Sequence, residues 1–226
     1  MTTERSTTCY TSLHGLLMAF YRDRVYPAIV KALGDPEPIR AVRKRLIPRA
    51  TGIVLEIGVG PGVNFEHYDA GRVKRLYALE PNPGMVRYAE RQCAGTGLDV
   101  SFLGLPGERI PLEDAAVDTV VSTFTLCTIP GVVDALKGIR RVLKAEGRFL
   151  FFEHGRSPDA PVRRWQRLSE PLTRLVFEGC HVTRAIPALI ESSGFRIDDL
   201  ETGYLAAFPK SWTYCFWGAA VPTGSA

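Results

Sequence analysis

The 226-residue sequence lacks the long apolar segments of membrane-spanning proteins and the leader of secreted ones. Its longest apolar runs, such as residues 16–20 and 149–152, fall far short of the roughly 20 residues that a membrane helix needs. The first residues, MTTERSTTCYTS, have no basic start, apolar core or small-residue cleavage site, which a secretory signal would carry. We therefore expect a cytoplasmic protein.

Cysteine is scarce and irregularly spaced. The five cysteines stand at positions 9, 93, 127, 180 and 215, an odd number without a CxxC pair. This pattern argues against a disulfide framework and against a zinc site. We expect no bound metal.

The sequence also has little excess of one charge, since 28 lysines and arginines stand against 24 aspartates and glutamates. We expect no nucleic-acid partner. Basic residues do cluster at residues 40–49 and 156–174, and such clusters are usually solvated helix faces. The alternative is attraction to anionic substrates or to an anionic membrane surface. Peripheral membrane contact therefore stays open, and the chain is expected to be a monomer or a homodimer.

What the sequence does contain is a regular alternation of strand and helix patterns. Asn82, followed by Pro83, is placed to cap one helix, and Thr183 is placed to cap another. Such alternation is typical of an α/β domain with a mostly parallel sheet. Strands are predicted at residues 53–57, 73–79, 98–105, 117–124, 148–153, 195–201 and 212–220.

The length fits one well-buried domain with appended helices. Residues 1–50 are predicted to form an N-terminal helical lid, with an apolar stripe over residues 12–33 that Pro27 bends or divides. Residues 51–226 are predicted to form the main domain, which carries a basic helical insertion at residues 156–180.

The run VLEIGVGPG at residues 54–62 is the most informative segment. It predicts a buried strand and a glycine turn, in which Gly58, Gly60 and Gly62 let the backbone approach a ligand closely. About twenty residues later a second strand ends in Glu80, a position suited to holding ribose hydroxyls. A nucleoside cofactor is therefore expected.

The charge of this cofactor is indicated by Glu56, which stands just before the glycine turn. A carboxylate there would repel the pyrophosphate of a dinucleotide but attract an ammonium or a sulfonium. S-adenosylmethionine carries both groups. The segment EIGVGPG at residues 56–62 resembles the ExGxGxG motif of class I S-adenosylmethionine-dependent methyltransferases, and Glu80 resembles their ribose-binding acid.

This resemblance covers about residues 50–221. It implies a Rossmann-like fold, with a mostly parallel seven-stranded sheet, helices on both faces and an antiparallel C-terminal hairpin. It also implies S-adenosyl-L-methionine as the cofactor and S-adenosyl-L-homocysteine as its product. Ligands of open parallel sheets lie beyond the carboxyl ends of the strands. The cofactor-binding candidates are therefore Glu56, Gly58, Gly60, Gly62, Asn64, Glu80, Pro81, Asn82, Met85, Gly107, Glu108, Thr123, Thr125 and Cys127.

A further resemblance concerns the methyl acceptor. The segments TLCTIP, EHG and FEGCHVTR, which begin at residues 125, 153 and 177, resemble the alkyl-thiol methyltransferase branch of this family. That branch is related to phospholipid and quinone methyltransferases. The resemblance implies S-methylation of a small-molecule thiol by in-line methyl transfer.

A thiol also suits the sequence on chemical grounds. Its pKa of about 8.5 leaves a few per cent as thiolate at neutral pH, so no strong base is required. His154 or His181 could take the thiol proton, and Tyr21 resembles the tyrosine that closes over the cofactor in related enzymes. These three residues are the catalytic candidates. Cys127 is expected to be a small apolar filler, because its segment contains no obvious base.

Other functions remain as alternatives. Arginines within residues 156–174 would suit the phosphate of a lipid head group, which keeps N-, O- or C-methylation of a phospholipid or a quinone-like acceptor open. An NAD-dependent oxidoreductase is disfavoured, since the glycines are spaced GVGPG rather than GxGxxG. A cofactor-binding subunit without activity would keep the fold and lose the acceptor pocket.

Trp165 and Phe177 are expected to be pocket walls or core anchors.

Overall fold

The computed structural model describes residues 20–33, 35–205 and 209–224. Within them lies one seven-stranded sheet with the strand order β3-β2-β1-β4-β5-β7-β6. The strands are β1 (Gly52–Ile57), β2 (Val73–Leu79), β3 (Val100–Leu103), β4 (Val117–Thr123), β5 (Leu143–His154), β6 (Phe195–Tyr204) and β7 (Tyr214–Pro222).

The sheet is parallel from β3 through β5, and β7 runs antiparallel to both of its neighbours, β5 and β6. This confirms the predicted α/β fold with an antiparallel C-terminal hairpin. The strand order reverses between β1 and β4, which pair directly. Because ligands of open α/β sheets bind where the order reverses, the carboxyl ends of β1 and β4 mark the expected site.

Helices cover both faces of the sheet. A π-helical turn at Tyr21–Val25 precedes α1, and 3-10 turns lie at Ile47–Arg49 and Phe65–His67. Among the described helices, none combines the length and the apolar character needed to traverse a lipid bilayer. The helices are α1 (Tyr26–Leu33), α2 (Glu37–Leu46), α3 (Pro83–Cys93), α4 (Val132–Val142), α5 (Ala160–Val176), α6 (Ile186–Ser192) and α7 (Lys210–Thr213).

Asn82 caps α3, as predicted. Its side-chain oxygen accepts hydrogen bonds from the backbone N–H groups of Gly84, at 2.8 Å, and Met85, at 3.3 Å. Pro27 follows the π-helical turn, near the start of α1. The part of the predicted apolar stripe at residues 12–19 lies outside the described residues.

Two hydrophobic clusters lie on opposite faces of the sheet. Phe149 and Phe151 belong to one cluster, whereas Leu150 and Phe152 belong to the other. Neighbouring side chains of a strand point to opposite faces, so both faces of β5 are buried. This is why the strand has a continuous apolar run instead of an alternating pattern.

Several local predictions differ from the structure: β3 is shorter than the predicted residues 98–105, and β5 begins at Leu143 rather than at residue 148. Thr183 does not cap a helix, because its backbone N–H and its hydroxyl both donate to Oε2 of Glu170, and α6 begins later, after Ala185. The last strand begins at Tyr214 rather than at residue 212, because the preceding residues form the short helix α7 after Pro209.

Candidate functional site

A cavity of about 1130 Å³ lies at the carboxyl ends of the central strands. Its lining starts at Tyr21, in the π-helical turn, and includes residues as late in the chain as Cys215, in β7. The walls are predominantly apolar in area, and charged and polar side chains also line the cavity. A cavity of this size and character is typical of a small-molecule site.

The glycine turn after β1 forms one wall of this cavity. Gly58, Gly60 and Gly62 have positive φ angles of 67°, 57° and 86°, which only glycine adopts readily. A Cβ atom on Gly58 would collide with Thr125, and one on Gly62 would lie 2.9 Å from the Cα atom of Ala89. A Cβ atom on Gly60 would meet nothing within 4 Å. The turn is therefore packed at its two ends and open at its centre.

Glu80 lies beside the open centre of the turn. Its Oε2 accepts a hydrogen bond from the Gly60 N–H, and its Oε1 accepts one from the Asn82 N–H, both at 2.9 Å. The carboxylate is largely buried and lines the cavity. Because a carboxylate offers about four lone-pair sites, it can hold ribose hydroxyls while it keeps these bonds. The turn and Glu80 together fit a nucleoside.

Glu56 does not reach the cavity, contrary to the expectation that its carboxylate faces the ligand. It is fully buried behind the glycine turn, where Asn64 Nδ2 and the Tyr68 hydroxyl each donate to it at 2.7 Å. Burial raises the pKa of Glu56 to about 7, although the hydrogen bonds from Tyr68 and Asn64 and the charge of Arg43 act in the opposite direction. The role of Glu56 is therefore to position Asn64 and the turn.

Arg43, from α2, brings a buried positive charge to the cavity wall. Its Nη1 donates to Asn64 Oδ1 at 2.5 Å and to Thr123 Oγ1 at 3.1 Å. Its Nε donates to Asp35 Oδ1 at 3.2 Å, and the guanidinium carbon lies 5.5 Å from the centre of the Phe124 ring. Arg43 is not among the site residues predicted from the sequence.

A signal for Arg43 was present in the sequence. It follows Ile39 by four positions and precedes Leu46 by three, so it shares their face of α2. That face packs on the sheet, and Leu46 is buried there. The neighbouring arginines and lysine made the whole helix resemble a solvated basic face.

The loops after β3 and β4 form the opposite wall. Glu108 accepts a hydrogen bond from the Gly131 N–H at 3.0 Å, and a Cβ atom on Gly107 would lie only 2.6 Å from Ile129. Thr125 donates to the carbonyl oxygen of Thr123 at 3.1 Å. These contacts fix the two loops against each other, so the wall is held in place by packing and by internal hydrogen bonds.

Most of the predicted cofactor-binding residues line this one cavity. They are Gly58, Gly60, Glu80, Pro81, Met85, Gly107, Glu108, Thr123, Thr125 and Cys127. Four others lie outside the lining and support it from behind: Glu56, Gly62, Asn64 and Asn82.

The three catalytic candidates also line the cavity. The Tyr21 hydroxyl donates to the carbonyl oxygen of Val176 at 3.1 Å, which joins the π-helical turn to the end of α5. His181 Nδ1 lies 3.0 Å from Glu170 Oε1. His154 follows at the end of β5. The structure therefore brings together side chains that are more than 150 positions apart in the sequence.

Cys127 has neighbours that its own segment did not reveal. The Sγ atom of Cys180 lies 3.6 Å from the Sγ of Cys127 and 3.9 Å from Nδ1 of His154. Contact with Cys127, and then with His154, lowers the pKa of the Cys180 thiol. The same contact with Cys180, together with burial, raises the pKa of Cys127. The segment of Cys127 contains no base, as the sequence indicated, but the fold brings a second thiol and an imidazole to it from other segments.

The carboxylate of Glu153, which precedes His154 in β5, is fully buried. It accepts hydrogen bonds from the Ser122 hydroxyl at 2.7 Å and from the N–H groups of Thr125, at 3.1 Å, and Cys127, at 3.2 Å. Glu153 therefore holds the loop after β4, and with it Cys127, in a fixed position.

The two aromatic residues of the insertion have different environments. Phe177 lines the cavity and packs edge-on against Trp212, with the ring centres 6.0 Å apart. Trp165 is 65% exposed, so it is neither a pocket wall nor a core anchor.

Comparison with known protein families identifies the central part of the chain. Residues 55–151 match the family described as "Methyltransferase domain". The chain is 33% identical over 152 residues to thiol S-methyltransferase TMT1B of Rattus norvegicus, a match that covers 66% of this chain and 62% of that protein. It is 31% identical over 163 residues to thiol S-methyltransferase TMT1A of Homo sapiens, covering 70% of this chain and 65% of that one. The chain thus spans less than two thirds of the length of either relative.

Solved structures with the same fold include two S-adenosylmethionine-dependent methyltransferases. The one from Methanosarcina mazei has a TM-score of 0.62 and 18% identity, and the match covers 84% of this chain and 100% of that one. The one from Aquifex aeolicus has a TM-score of 0.58 and 20% identity, with 87% and 98% covered. At these identities the likeness concerns the fold.

Proposed function

The chain belongs to the class I S-adenosylmethionine-dependent methyltransferases, and we propose that it methylates the sulfur of a small-molecule thiol. The observation that carries this proposal is the pairing of two histidines, His154 and His181, with the predominantly apolar walls of one cavity. The similarity to thiol S-methyltransferases supports the same acceptor class. When bound, the cofactor supplies an electrophilic methyl group on a sulfonium.

The cofactor end of the cavity is formed by the glycine turn, Glu80 and Arg43. Glu80 is suited to the ribose hydroxyls and already lies against Gly60. Arg43 is a buried cation that faces the same cavity, and a guanidinium pairs well with a carboxylate. We therefore assign Arg43 to the carboxylate of the methionine part of the cofactor.

The acceptor end is formed by aromatic and aliphatic side chains, among them Phe177, Leu205 and Trp212. Such walls exclude water and suit an aliphatic or aromatic thiol better than a charged amine. A thiol needs only a weak base to become thiolate, and His154 or His181 can accept its proton. The remaining contribution of the chain is to hold the thiol in line with the methyl group, at a distance of about 3 Å.

The test is incubation with methyl-labelled S-adenosylmethionine and a panel of thiols, phenols, amines, quinones and phosphatidylethanolamine, followed by mass spectrometry. We expect methyl thioethers from small thiols. Methylation of phosphatidylethanolamine or a quinone without methylation of any thiol would refute the proposed acceptor. Failure of the full chain to bind S-adenosylmethionine in calorimetry would refute the enzymatic function itself.

The acceptor end of the cavity also lies next to an exposed apolar stripe on α5. The stripe consists of Trp165, Leu168, Leu172 and Leu175, which are between 49% and 67% exposed. These residues recur at helical spacing, and three exposed arginines flank them: Arg164, Arg167 and Arg174. An apolar stripe beside a basic row is typical of a helix that lies on an anionic membrane surface.

We therefore propose that α5 rests on an anionic lipid surface. Leu175 and Arg174 belong both to this face and to the cavity lining. A lipophilic thiol dissolved in the membrane would then reach the cavity at the end of the helix.

Sedimentation with vesicles of phosphatidylserine and phosphatidylcholine tests this proposal. We expect the full chain to bind, and the double variant Leu168→Glu/Leu175→Glu to lose binding. The control is Val133→Glu/Leu200→Glu, which adds the same charge at two positions that are 42% and 43% exposed, outside the stripe. Equal binding by wild type and stripe variant, or equal loss in the control, would contradict the proposal.

A further inference from the structure

Cys127, Cys180 and His154 converge from three separate parts of the chain. Cys127 lies in the loop after β4, His154 ends β5, and Cys180 follows α5. Their ligand atoms all lie within 4.8 Å of one another, and all three residues line the cavity. Spacing along the sequence could not reveal this group, because its members are 26 to 53 positions apart.

Two of the distances within this cluster are close to those of a metal site. For sulfur at about 2.3 Å and nitrogen at about 2.0 Å from a tetrahedral zinc ion, two sulfurs are about 3.8 Å apart and sulfur and nitrogen about 3.5 Å. The observed separations are 3.6 Å between the two sulfurs and 3.9 Å between the Cys180 sulfur and His154 Nδ1. The Cys127 sulfur and the His154 ring nitrogen lie within 4.8 Å of each other, so the three ligand atoms would draw closer together when an ion binds.

The backbone around the cluster is held in place. The N–H of Cys127 donates to Glu153 at 3.2 Å, and its carbonyl oxygen accepts from the His181 N–H at 2.8 Å. The carbonyl oxygen of Cys180 accepts from the Thr173 hydroxyl at 3.0 Å. Metal ligands that are fixed by such supporting bonds need little reorganisation when an ion binds.

We propose that Cys127, Cys180 and His154 form a three-ligand zinc site at the acceptor end of the cavity. Two thiolates would neutralise the divalent ion, and the imidazole would complete the protein ligands. Three protein ligands leave one position of a tetrahedral ion open, as in catalytic zinc sites. Since all three residues line the cavity, the open position faces the space where an acceptor would bind.

The zinc ion would act on the acceptor thiol, and this role rests on the proposed thiol methylation. An acceptor thiol bound at the open position would pass its proton to His181, since His154 would then be a ligand, and would become a thiolate. A lone pair of this sulfur then forms the bond to the methyl carbon, and the bond from that carbon to the sulfonium sulfur breaks. The electron pair of the broken bond stays on the cofactor sulfur, so the products are a methyl thioether and S-adenosylhomocysteine.

Zinc loading of the full chain tests the site without reference to catalysis. The protein is purified under anaerobic, reducing conditions, loaded with Zn²⁺, dialysed, and measured by elemental mass spectrometry. Co²⁺ then replaces Zn²⁺ as a spectroscopic probe of thiolate ligation. We expect one ion per chain and a thiolate-to-cobalt charge-transfer band.

Single substitutions locate the ion. Cys127→Ser and Cys180→Ser should each weaken metal binding by at least about tenfold and diminish the charge-transfer band. Cys93→Ser is the matched control, since Cys93 is a free cysteine on α3 that does not line the cavity. Circular dichroism and thermal unfolding verify that each variant is folded.

Three results would overturn the zinc site. The first is a wild type that retains no zinc after dialysis. The second is zinc binding by the Cys127 and Cys180 variants that equals that of the wild type. The third is a disulfide between Cys127 and Cys180 that persists under reducing conditions. Thiol methylation by metal-free protein at the full rate would overturn the role of the ion. If zinc binds as expected but no thiol is methylated, the site stands and the proposed acceptor fails.

Discussion

The side chain of Arg43 donates a hydrogen bond to the Thr123 hydroxyl at 3.1 Å, across 80 positions of the sequence. The bond joins helix α2, which precedes the sheet, to the carboxyl end of β4. The first helices are thereby connected to the strand end where the two halves of the sheet meet.

Replacement of Arg43 by alanine should therefore reduce both stability and cofactor affinity. Loss of one partner from a buried charged network costs about 3 to 5 kcal/mol, and Asp35 would lose its hydrogen-bonded cation. Urea unfolding and calorimetry with S-adenosylmethionine measure the two effects. Arg45→Ala, on the same helix, is the control, because its ion pair with Glu201 is exposed and contributes less than about 1 kcal/mol. Similar losses in both variants would show that the buried contacts of Arg43 contribute no more than the exposed ion pair of Arg45.

Glu56 should make stability depend on pH. Its pKa is about 7 in the folded protein, against 4.5 as the ordinary value, so the folded state binds this proton more tightly than the unfolded state. The stabilisation is complete below about pH 4.5 and is lost as the pH rises through 7, by an amount of about 3 kcal/mol.

Glu56→Gln should remove this dependence, because a glutamine has no proton to lose in this range. The measurement is urea unfolding of both proteins at pH 5 and pH 8. We expect the wild type to lose more stability than the variant between these two pH values. An equal loss in the two proteins would show that Glu56 does not titrate in this window.

Two neighbouring glycines should respond differently to the same substitution. Gly60→Ala should cost about 1 to 2 kcal/mol of stability from its left-handed backbone, but should weaken cofactor binding strongly, since its Cβ would point into open space beside Glu80. Gly62→Ala should cost more stability, because its Cβ would also press on Ala89 and Phe65. Thermal unfolding and cofactor calorimetry, carried out on both variants, separate the effects. The reverse order of stabilities would contradict this description of the turn.

Removal of the Glu153 carboxylate should loosen the loop that carries Cys127. Glu153→Ala leaves the N–H groups of Thr125 and Cys127 without their acceptor, at a cost of about 1 to 3 kcal/mol each when buried. Hydrogen exchange at these two amides is the direct measurement, and we expect faster exchange there than in β1. Unchanged protection would mean that other contacts hold the loop.

The sequence predicted the parts of the fold that depend on local pattern. The apolar run at β4 and the cap at Asn82 are signals within a few residues, and both were confirmed. Thr183 was misassigned because its hydroxyl donates to Glu170, which lies 13 positions earlier. Such a competing acceptor becomes visible only when the chain is folded.

The residues of the candidate site also divide into those that a local pattern predicts and those that depend on distant contacts. Glu80 and the glycines lie at strand ends, so their positions followed from the order of strands. Arg43 and the pair of Cys127 and Cys180 depend on contacts between distant segments. Helical spacing placed Arg43 on the buried face of α2 without showing its contacts, and nothing in the spacing of Cys127 and Cys180 indicated that their thiols adjoin.

Most of the residues at the two ends of the cavity come from different stretches of the chain. The glycine turn and Glu80 lie within the matched domain at residues 55–151, whereas Phe177, Cys180 and Trp212 lie after it. Substitutions in the later stretch can therefore reshape the acceptor end of the cavity without altering the glycine turn.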